Sequence, residues 1–145
     1  MKKLFTKICI ASDHAGYELK EKIKDYLINK SISVIDLGPF SKDSVDYPDY
    51  AKKVAKRLIM RKSDVGILAC GSGTGMAITA NKFKGIRAAQ CYNKISTILS
   101  RKHNNSNIIC LGSRMLKYKE AFKYVTYFLN TRFKKGRHLK RINKI

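Results

Sequence analysis

Short apolar runs alternate with longer segments of helical periodicity along nearly the whole chain, and this alternation restricts the fold more than any other feature. The apolar runs predict five strands, at residues 7–12, 33–38, 64–70, 86–91 and 107–112. The segments after them predict helices over 16–30, 47–62, from the glycine-rich stretch to about residue 83, 93–102 and 118–130, with a last short helix in the tail 131–145. This pattern predicts an α/β fold: a three-layer αβα sandwich with a five-stranded, mostly parallel, doubly wound (Rossmann-like) sheet and a C-terminal helical tail.

The chain length sets the domain organisation. A chain of 145 residues is long enough for one packed domain and too short for two ordinary ones, so we expect residues 1–145 to form a single domain. No apolar stretch approaches the length of a membrane-spanning helix. The N-terminal apolar run ends in Asp13 and His14 without a small-residue cleavage site. The sequence therefore predicts a first strand there, not a signal peptide, and a cytoplasmic protein without a membrane partner.

The net charge of +21 arises from 31 Lys and Arg residues against 10 Asp and Glu residues. Such a charge concentrates polyanions at low salt, so the composition allows a nucleic-acid-binding protein. The cations are scattered along the chain, however, and no helix-turn-helix, zinc-finger or RNP-like pattern accompanies them. We therefore expect no specific nucleic-acid partner and keep nucleic-acid binding as an alternative from a different class of function.

The four cysteines lie far apart and form no Cys-x-x-Cys pair, so the spacing of a zinc site is absent. Cys9 and Cys110 lie inside predicted strands, and Cys91 ends a strand that no glycine loop follows. We interpret these three as core residues. Cys70 differs because a glycine loop follows it. A redox role centred on Cys70 is a further alternative, but no resolving cysteine lies near it in the sequence.

The glycine-rich loop opens a predicted helix and consists of Gly71, Ser72, Gly73, Thr74 and Gly75. It is not a dinucleotide-binding fingerprint, because the third required glycine is missing. It is also not the phosphate-binding loop of nucleoside triphosphatases, because no Gly-Lys-Ser/Thr follows. Besides a purely structural turn, the loop can present backbone N–H groups to an anion, either a phosphate or an oxyanion formed during a reaction. The same helix end favours the thiolate form of Cys70, which is the reactive form.

Other polar side chains are predicted in loops, where functional groups concentrate. His14 follows Asp13 at the end of the first strand, and Asn104 follows His103 in a polar turn after a helix. The tail carries two arginines four residues apart, on one face of its helix, which form either a solvated basic face or a clamp for a phosphate monoester.

Five stretches together resemble the type B ribose-5-phosphate isomerases, the family that includes the galactose-6-phosphate isomerase subunits. They are ASDHAG (11–16), VDYPDYA (45–51), GILACGSGTGMAITANKFKGIRAA (66–89), SRKHNNSNIICLGSR (100–114) and GRHLKRI (136–142). The resemblance covers essentially the whole chain, in order. It implies an aldose–ketose isomerase that interconverts D-ribose 5-phosphate and D-ribulose 5-phosphate without a metal or another cofactor. It also implies a homodimer or a tetramer, with active sites at a subunit interface and the basic tail 131–145 packed there.

The resemblance also implies roles for individual residues. Cys70 matches the base that moves a proton between C1 and C2, and Ser72 matches the hydroxyl that assists it. His103 matches the residue that opens the furanose ring, while the amides of residues 71–75 match the anion hole for the enediolate. The implied substrate contacts are Asp13, His14, Gly71, Ser72, Gly73, Thr74, Gly75, Asn104, Arg114, Arg137 and Arg141.

One position departs from a branch of this family. That branch uses a Glu directly after the glycine loop as its base, and this chain has Met76 there. No Asp or Glu occurs between Asp64 and Glu120, so Cys70 has no carboxylate rival nearby in the sequence. The sequence does not reveal the length of the pocket. A six-carbon phosphosugar isomerase, acting on allose or galactose 6-phosphate, therefore stays open as an alternative within the same class.

Overall fold

A computed structural model describes residues 3–145 of the chain, which form one sheet covered by helices on both faces. The strands are β1 (Ile8–Ser12), β2 (Val34–Asp36), β3 (Val65–Cys70), β4 (Ala88–Gln90) and β5 (Ile108–Gly112). The helices are α1 (Tyr17–Asn29), α2 (Tyr47–Ile59), α3 (Thr74–Ala80), α4 (Lys94–Lys102), α5 (Tyr118–Asn130) and α6 (Arg137–Ile142). The predicted order of strands and helices is confirmed.

All five strands pair in parallel, in the spatial order β2-β1-β3-β5-β4. The three central strands are buried along their whole length, as expected where helices cover both faces. The edge strands β2 and β4 have only three residues each, and each pairs on one side only. The sequence predicts six residues for each edge strand. Backbone contacts to the neighbouring strand continue past both regular strands, since the amide of Leu37 donates to the carbonyl of Ile10 and the amide of Cys91 donates to that of Cys110.

The core consists of two layers, one on each face of the sheet. On one face, α1 and α5 bury apolar side chains such as Ile23 and Phe128 against the sheet, and α4 packs beside α5. On the other face, α2 and α3 bury Val54 and Met76. Met76 is therefore a core residue, completely buried between α3 and the sheet. Helix α3 ends at Ala80, before the predicted end near residue 83.

The strand order creates a topological switch point between β1 and β3. The chain leaves β1 towards β2 on one side and leaves β3 towards β4 on the other, so a crevice opens at the carboxyl ends of these two neighbours. Asp13 and His14 follow β1 at this edge, and Cys70 is the last residue of β3. Within the part of the chain that the structure describes, no helix has the length and apolarity needed to cross a bilayer.

Candidate active site

A cleft of about 230 Å³ lies at the carboxyl edge of the sheet, over the switch point. We call it the Cys70 cleft. Its lining residues are Asp13, His14, Ala15, Tyr47, Cys70, Gly71, Ser72, Gly75 and Arg114. Seven of these nine positions are predicted site residues, so the structure brings together the ends of β1, β3 and β5 as the sequence suggests.

The glycine loop turns sharply between β3 and α3, and it places a backbone donor in front of Cys70. The amide of Gly73 donates a hydrogen bond to Sγ of Cys70 over 3.1 Å. Gly73 has φ of +80°, a conformation that side-chain-bearing residues rarely adopt, so the turn depends on this glycine. Residues 71–73 separate the cysteine from the first turn of α3, yet its sulfur still faces the N-cap amide of that helix.

The other three thiols lie in the core, as predicted. Burial raises the pKa of Cys9, of Cys91 and, most strongly, of Cys110, because the thiolate form is disfavoured away from water. They therefore stay as neutral thiols. Only Cys70 lines the cleft and receives a hydrogen bond from a loop amide.

Arg114 covers the glycine loop from the end of β5. A Cβ atom at position 71 would lie 2.6 Å from Nη1 of Arg114, so the guanidinium rests directly against the backbone of Gly71. Two backbone hydrogen bonds also join the end of β5 to the glycine loop. The amide of Arg114 donates to the carbonyl of Gly71 over 3.0 Å, and the amide of Ser113 donates to the carbonyl of Cys70 over 2.8 Å. The exposed guanidinium thus lies beside the loop amides and can contact an anion there.

Asp13 and His14 have different surroundings. The side chain of Asp13 is buried, and Oδ1 accepts a hydrogen bond from the amide of Gly16 over 2.9 Å, which fixes the turn before α1. The ring of His14 is exposed, and its Nδ1 lies 3.1 Å from the carbonyl and 3.2 Å from the amide of Val45. His14 is therefore held from the segment between β2 and α2.

Two residues that contact the glycine loop were not among those that the sequence singled out. The ring of Tyr47 packs over Gly75, where a Cβ atom would lie 2.7 Å from the ring, and it lines the cleft. The side-chain amide of Gln90 donates to the carbonyl of Ser72 and to Oγ1 of Thr74, each over 2.8 Å. Tyr47 stands in one of the matching stretches, and Gln90 ends β4 at the same sheet edge, so position alone pointed to both.

Three further predicted residues, His103, Asn104 and Arg141, line a second cleft of about 260 Å³, which we call the His103 cleft, while Gly73 and Thr74 belong to the glycine loop. The His103 cleft is lined by His103, Asn104, His138, Arg141, Ile142 and Ile145. Arg137 begins α6 beside it and is exposed. Burial, and then the positive charges of His103 and the arginines of α6, lower the pKa of His138. Arg141 in the lining and Arg137 beside it are cations that can contact a phosphate.

Arg101 holds the loop of His103 to the C-terminal tail. Its guanidinium is buried and donates to the carbonyl of Ser106 over 2.6 Å and to the carbonyl of Thr131 over 3.2 Å. Burial, together with the nearby charge of Arg87, lowers the pKa of Arg101 to about 10. Arg87 contacts the same loop through the carbonyls of residues 104 and 105.

The two clefts lie at opposite ends of the strands: the Cys70 cleft at their carboxyl ends and the His103 cleft at their amino ends. Helix α4 runs against the strand direction, so His103 at its end lies near the starts of β4 and β5, where Arg87 bonds to Asn104. Cys70 is at the end of β3, a strand whose six residues span roughly 20 Å. No rotation of the His103 side chain bridges such a distance. One chain therefore does not bring all the predicted residues together. Among residues 3–145, no three His, Cys, Asp or Glu side chains cluster as metal ligands.

Comparison with known proteins gives a consistent result over the whole chain. The family model described as Ribose/Galactose Isomerase matches residues 8–145. The chain is 41% identical over 139 residues to ribose-5-phosphate isomerase B of Escherichia coli, covering 96% of this chain and 93% of that protein. Its fold is similar to a crystal structure of a ribose 5-phosphate isomerase from Thermotoga maritima (TM-score 0.94, 52% identity, 96% of each chain).

A further similar structure contains a sugar phosphate. Ribose-5-phosphate isomerase B from Mycoplasma genitalium, with bound ribulose-5-phosphate, has a TM-score of 0.89 and 45% identity, covering 94% of this chain and 91% of that one. The family model spans more than nine-tenths of the sequence, and the structural similarity covers 96% and 94% of the chain in these two structures. The chain therefore belongs to the ribose/galactose isomerase family.

Proposed function

We propose that this protein is an aldose–ketose isomerase that interconverts D-ribose 5-phosphate and D-ribulose 5-phosphate through an enediolate, without a metal or another cofactor. The relatives from E. coli and T. maritima, which are ribose-5-phosphate isomerases, support this proposal, as does the M. genitalium relative with ribulose-5-phosphate bound. The observation that carries it is the Cys70 thiol at a cleft floored by a glycine loop, with the amide of Gly73 directed at its sulfur.

This arrangement suits proton transfer next to a carbonyl. The Cys70 thiolate takes the proton from C2 of the open-chain aldose, and the electrons move to O1 to give the enediolate. The thiol then returns the proton to C1, and a hydroxyl proton passes from O2 to O1, which the hydroxyl of Ser72 assists. The loop amides and Arg114 stabilise the oxygen charge that develops in this step.

The His103 cleft supplies the other requirements of the reaction. His103 opens the furanose ring by moving a proton between the ring oxygen and the C1 hydroxyl, and Asn104 contacts a sugar hydroxyl. Arg137 and Arg141 bind the phosphate and so position the sugar through a group remote from the reacting carbons. Because the two clefts of one chain lie at opposite ends of the strands, these groups reach Cys70 only from a second copy of the chain.

We further propose a homodimer whose subunits exchange these residues. Tyr92, Ile95 and Leu99 lie on one face of the α4 region, and 59%, 70% and 39% of their surfaces are exposed. A two-fold axis at this face, perpendicular to α4, sets α4 antiparallel to the same helix of the partner. Since α4 is about 14 Å long, this pairing carries the partner subunit's His103 towards the sheet edge that holds Cys70. The basic tail 131–145 then packs at this interface. The cytoplasmic location stays a prediction from the sequence.

A six-carbon phosphosugar is the second candidate substrate, because the family description includes galactose isomerases. Comparing kcat/KM of the purified protein on ribose 5-phosphate, allose 6-phosphate and galactose 6-phosphate, with and without EDTA, tests both candidates. We expect the five-carbon substrate to be preferred and EDTA to have no effect. A preference for a hexose phosphate would replace the proposed substrate, and absence of turnover on all three would overturn the proposed activity.

A further inference from the structure

A lysine is completely buried in α1, beneath the turn that leaves β2. Nζ of Lys20 lies 2.9 and 2.7 Å from the two carboxylate oxygens of Asp36, and 2.8 Å from Oε1 of Glu21. Lys24 contacts the same two carboxylates over 2.9 and 2.7 Å. Two cations and two anions therefore alternate in one cluster. A charge withdrawn from water is costly unless it is paired in this way, so the position of Lys20 calls for an explanation beyond packing.

Asp36 connects this cluster to the backbone at the end of β1. Its Oδ1 also accepts a hydrogen bond from the amide of Gly38 over 2.9 Å. The carbonyl of Gly38 in turn accepts from the amide of Ser12 over 3.0 Å, two residues before His14. Burial opposes ionisation of Asp36, but hydrogen bonds from both lysines and from Gly38 outweigh it and hold its pKa below the ordinary value. The carboxylate is thus a fixed anchor for this turn.

The segment that starts at this anchor ends in the Cys70 cleft. We call residues 37–46 the β2–α2 segment. Near its end, the backbone of Val45 contacts Nδ1 of His14, and the next residue after the segment is Tyr47, whose ring covers Gly75. Lys20 also faces this segment directly, because its Nζ lies 5.6 Å from the centre of the Phe40 ring. The cluster and the cleft are therefore the two ends of one short stretch of backbone.

We propose that Lys20 is a positioning residue of the Cys70 cleft, which acts through Asp36 to fix the β2–α2 segment and thereby the side chains of His14 and Tyr47. This inference rests on the proposed isomerase function. Lys20 itself lies under the turn and does not line the cleft, so it acts only through the segment. A lysine that merely supported the fold would change stability and leave His14 in its place in the folded molecules.

The test replaces Lys20 with methionine, which is unbranched and one atom shorter and removes the charge. The matched control is Lys42→Met, which removes an exposed ion pair between the same segment and Glu18 of α1. Two quantities are measured on the full chain: kcat and KM for ribose 5-phosphate, and the imidazole nitrogen signals of the three histidines by NMR. We expect Lys20→Met to lower kcat/KM by about tenfold to a hundredfold, mainly through KM. The His14 signals should shift while those of His103 and His138 stay, and Lys42→Met should change neither.

The two readouts separate the inference from the proposed function. If the wild-type protein has no isomerase activity, the proposed function fails, and the His14 signals still decide whether Lys20 positions the segment. A folded Lys20→Met protein with wild-type kinetics and unchanged His14 signals would overturn the inference. If Lys20→Met does not fold, Asp36→Asn takes its place, because it keeps the acceptor for Gly38 and removes the charge that Lys20 holds; the same shift supports the proposal and its absence overturns it.

Discussion

The ring of His103 stacks on the ring of His138, with centroids 4.1 Å apart and an angle of 13° between the planes. This contact joins the end of α4 to α6. The amide of Lys134 adds a second link, because it donates to the carbonyl of Lys102 over 3.0 Å. The tail thus reaches the His103 cleft by specific contacts, and Arg141 lines the cleft beside the histidine.

Stability should decrease in mild acid because of His138. Its pKa lies below the ordinary value of 6.5, since burial and the neighbouring positive charges disfavour the protonated ring. The unfolded chain therefore takes up the proton first as the pH falls. The contribution of neutral His138 is complete above about pH 6.5 and is lost as the pH falls through the folded-state pKa. Thermal unfolding followed by circular dichroism between about pH 7 and pH 5 should show Tm decreasing in this window.

The His138→Phe variant isolates this effect, because it keeps an aromatic ring for stacking and removes the titrating group. Its Tm should decrease less over the same pH range. The lowered carboxyl pKa values of Asp36, Glu18 and Glu21 act at lower pH, since their ordinary values are 3.8 and 4.5. An equal decrease of Tm in wild type and His138→Phe would contradict the assignment to His138.

Cys70→Ala should abolish most turnover and leave the sugar phosphate bound. The substitution removes the sulfur in front of the glycine loop without touching the loop amides or Arg114. Loss of a general base costs about 10²–10⁴ in kcat. Steady-state kinetics gives kcat, and titration calorimetry with ribose 5-phosphate gives affinity. Cys91→Ala is the control. Because Cys91 is buried in the core, this variant should keep the wild-type kcat. Retained turnover in Cys70→Ala would remove Cys70 from the role of base.

The sequence predicted the layers and the Cys70 cleft because both depend on local patterns. Apolar runs of the central strands and the positions just after β1, β3 and β5 follow directly from periodicity and from the geometry of parallel sheets. Lys20 is different: a lysine on an amphipathic helix is expected in solvent, and only the distant Asp36 explains its burial. Likewise, the separation of His103 from Cys70 depends on the direction in which α4 crosses the sheet.

Ile95→Asp should convert the proposed dimer into monomers. The side chain is 70% exposed in the single chain, so an aspartate there disturbs the fold of one subunit little but introduces a charge into the α4 face. Sedimentation velocity should show the smaller species, with isomerase activity lost and the circular dichroism spectrum of the folded chain kept. Ile28→Asp is the control, since Ile28 is 56% exposed on α1, over the other half of the sheet. A dimeric Ile95→Asp protein would place the interface elsewhere.

Mixing two inactive variants tests whether the subunits share their residues. In a mixed dimer of Cys70→Ala and His103→Ala chains, one site combines both substitutions, and the other combines an intact Cys70 with an intact His103 from the partner subunit. Unfolding and refolding equal amounts together makes about half of the dimers mixed, so about one quarter of all sites should regain wild-type kcat. Refolding each variant alone is the control and should restore nothing. If each site were built from one chain, every site in the mixture would carry one substitution, and no activity would return. Because His103 and Cys70 lie at opposite ends of the strands of a single sheet, we expect the recovery.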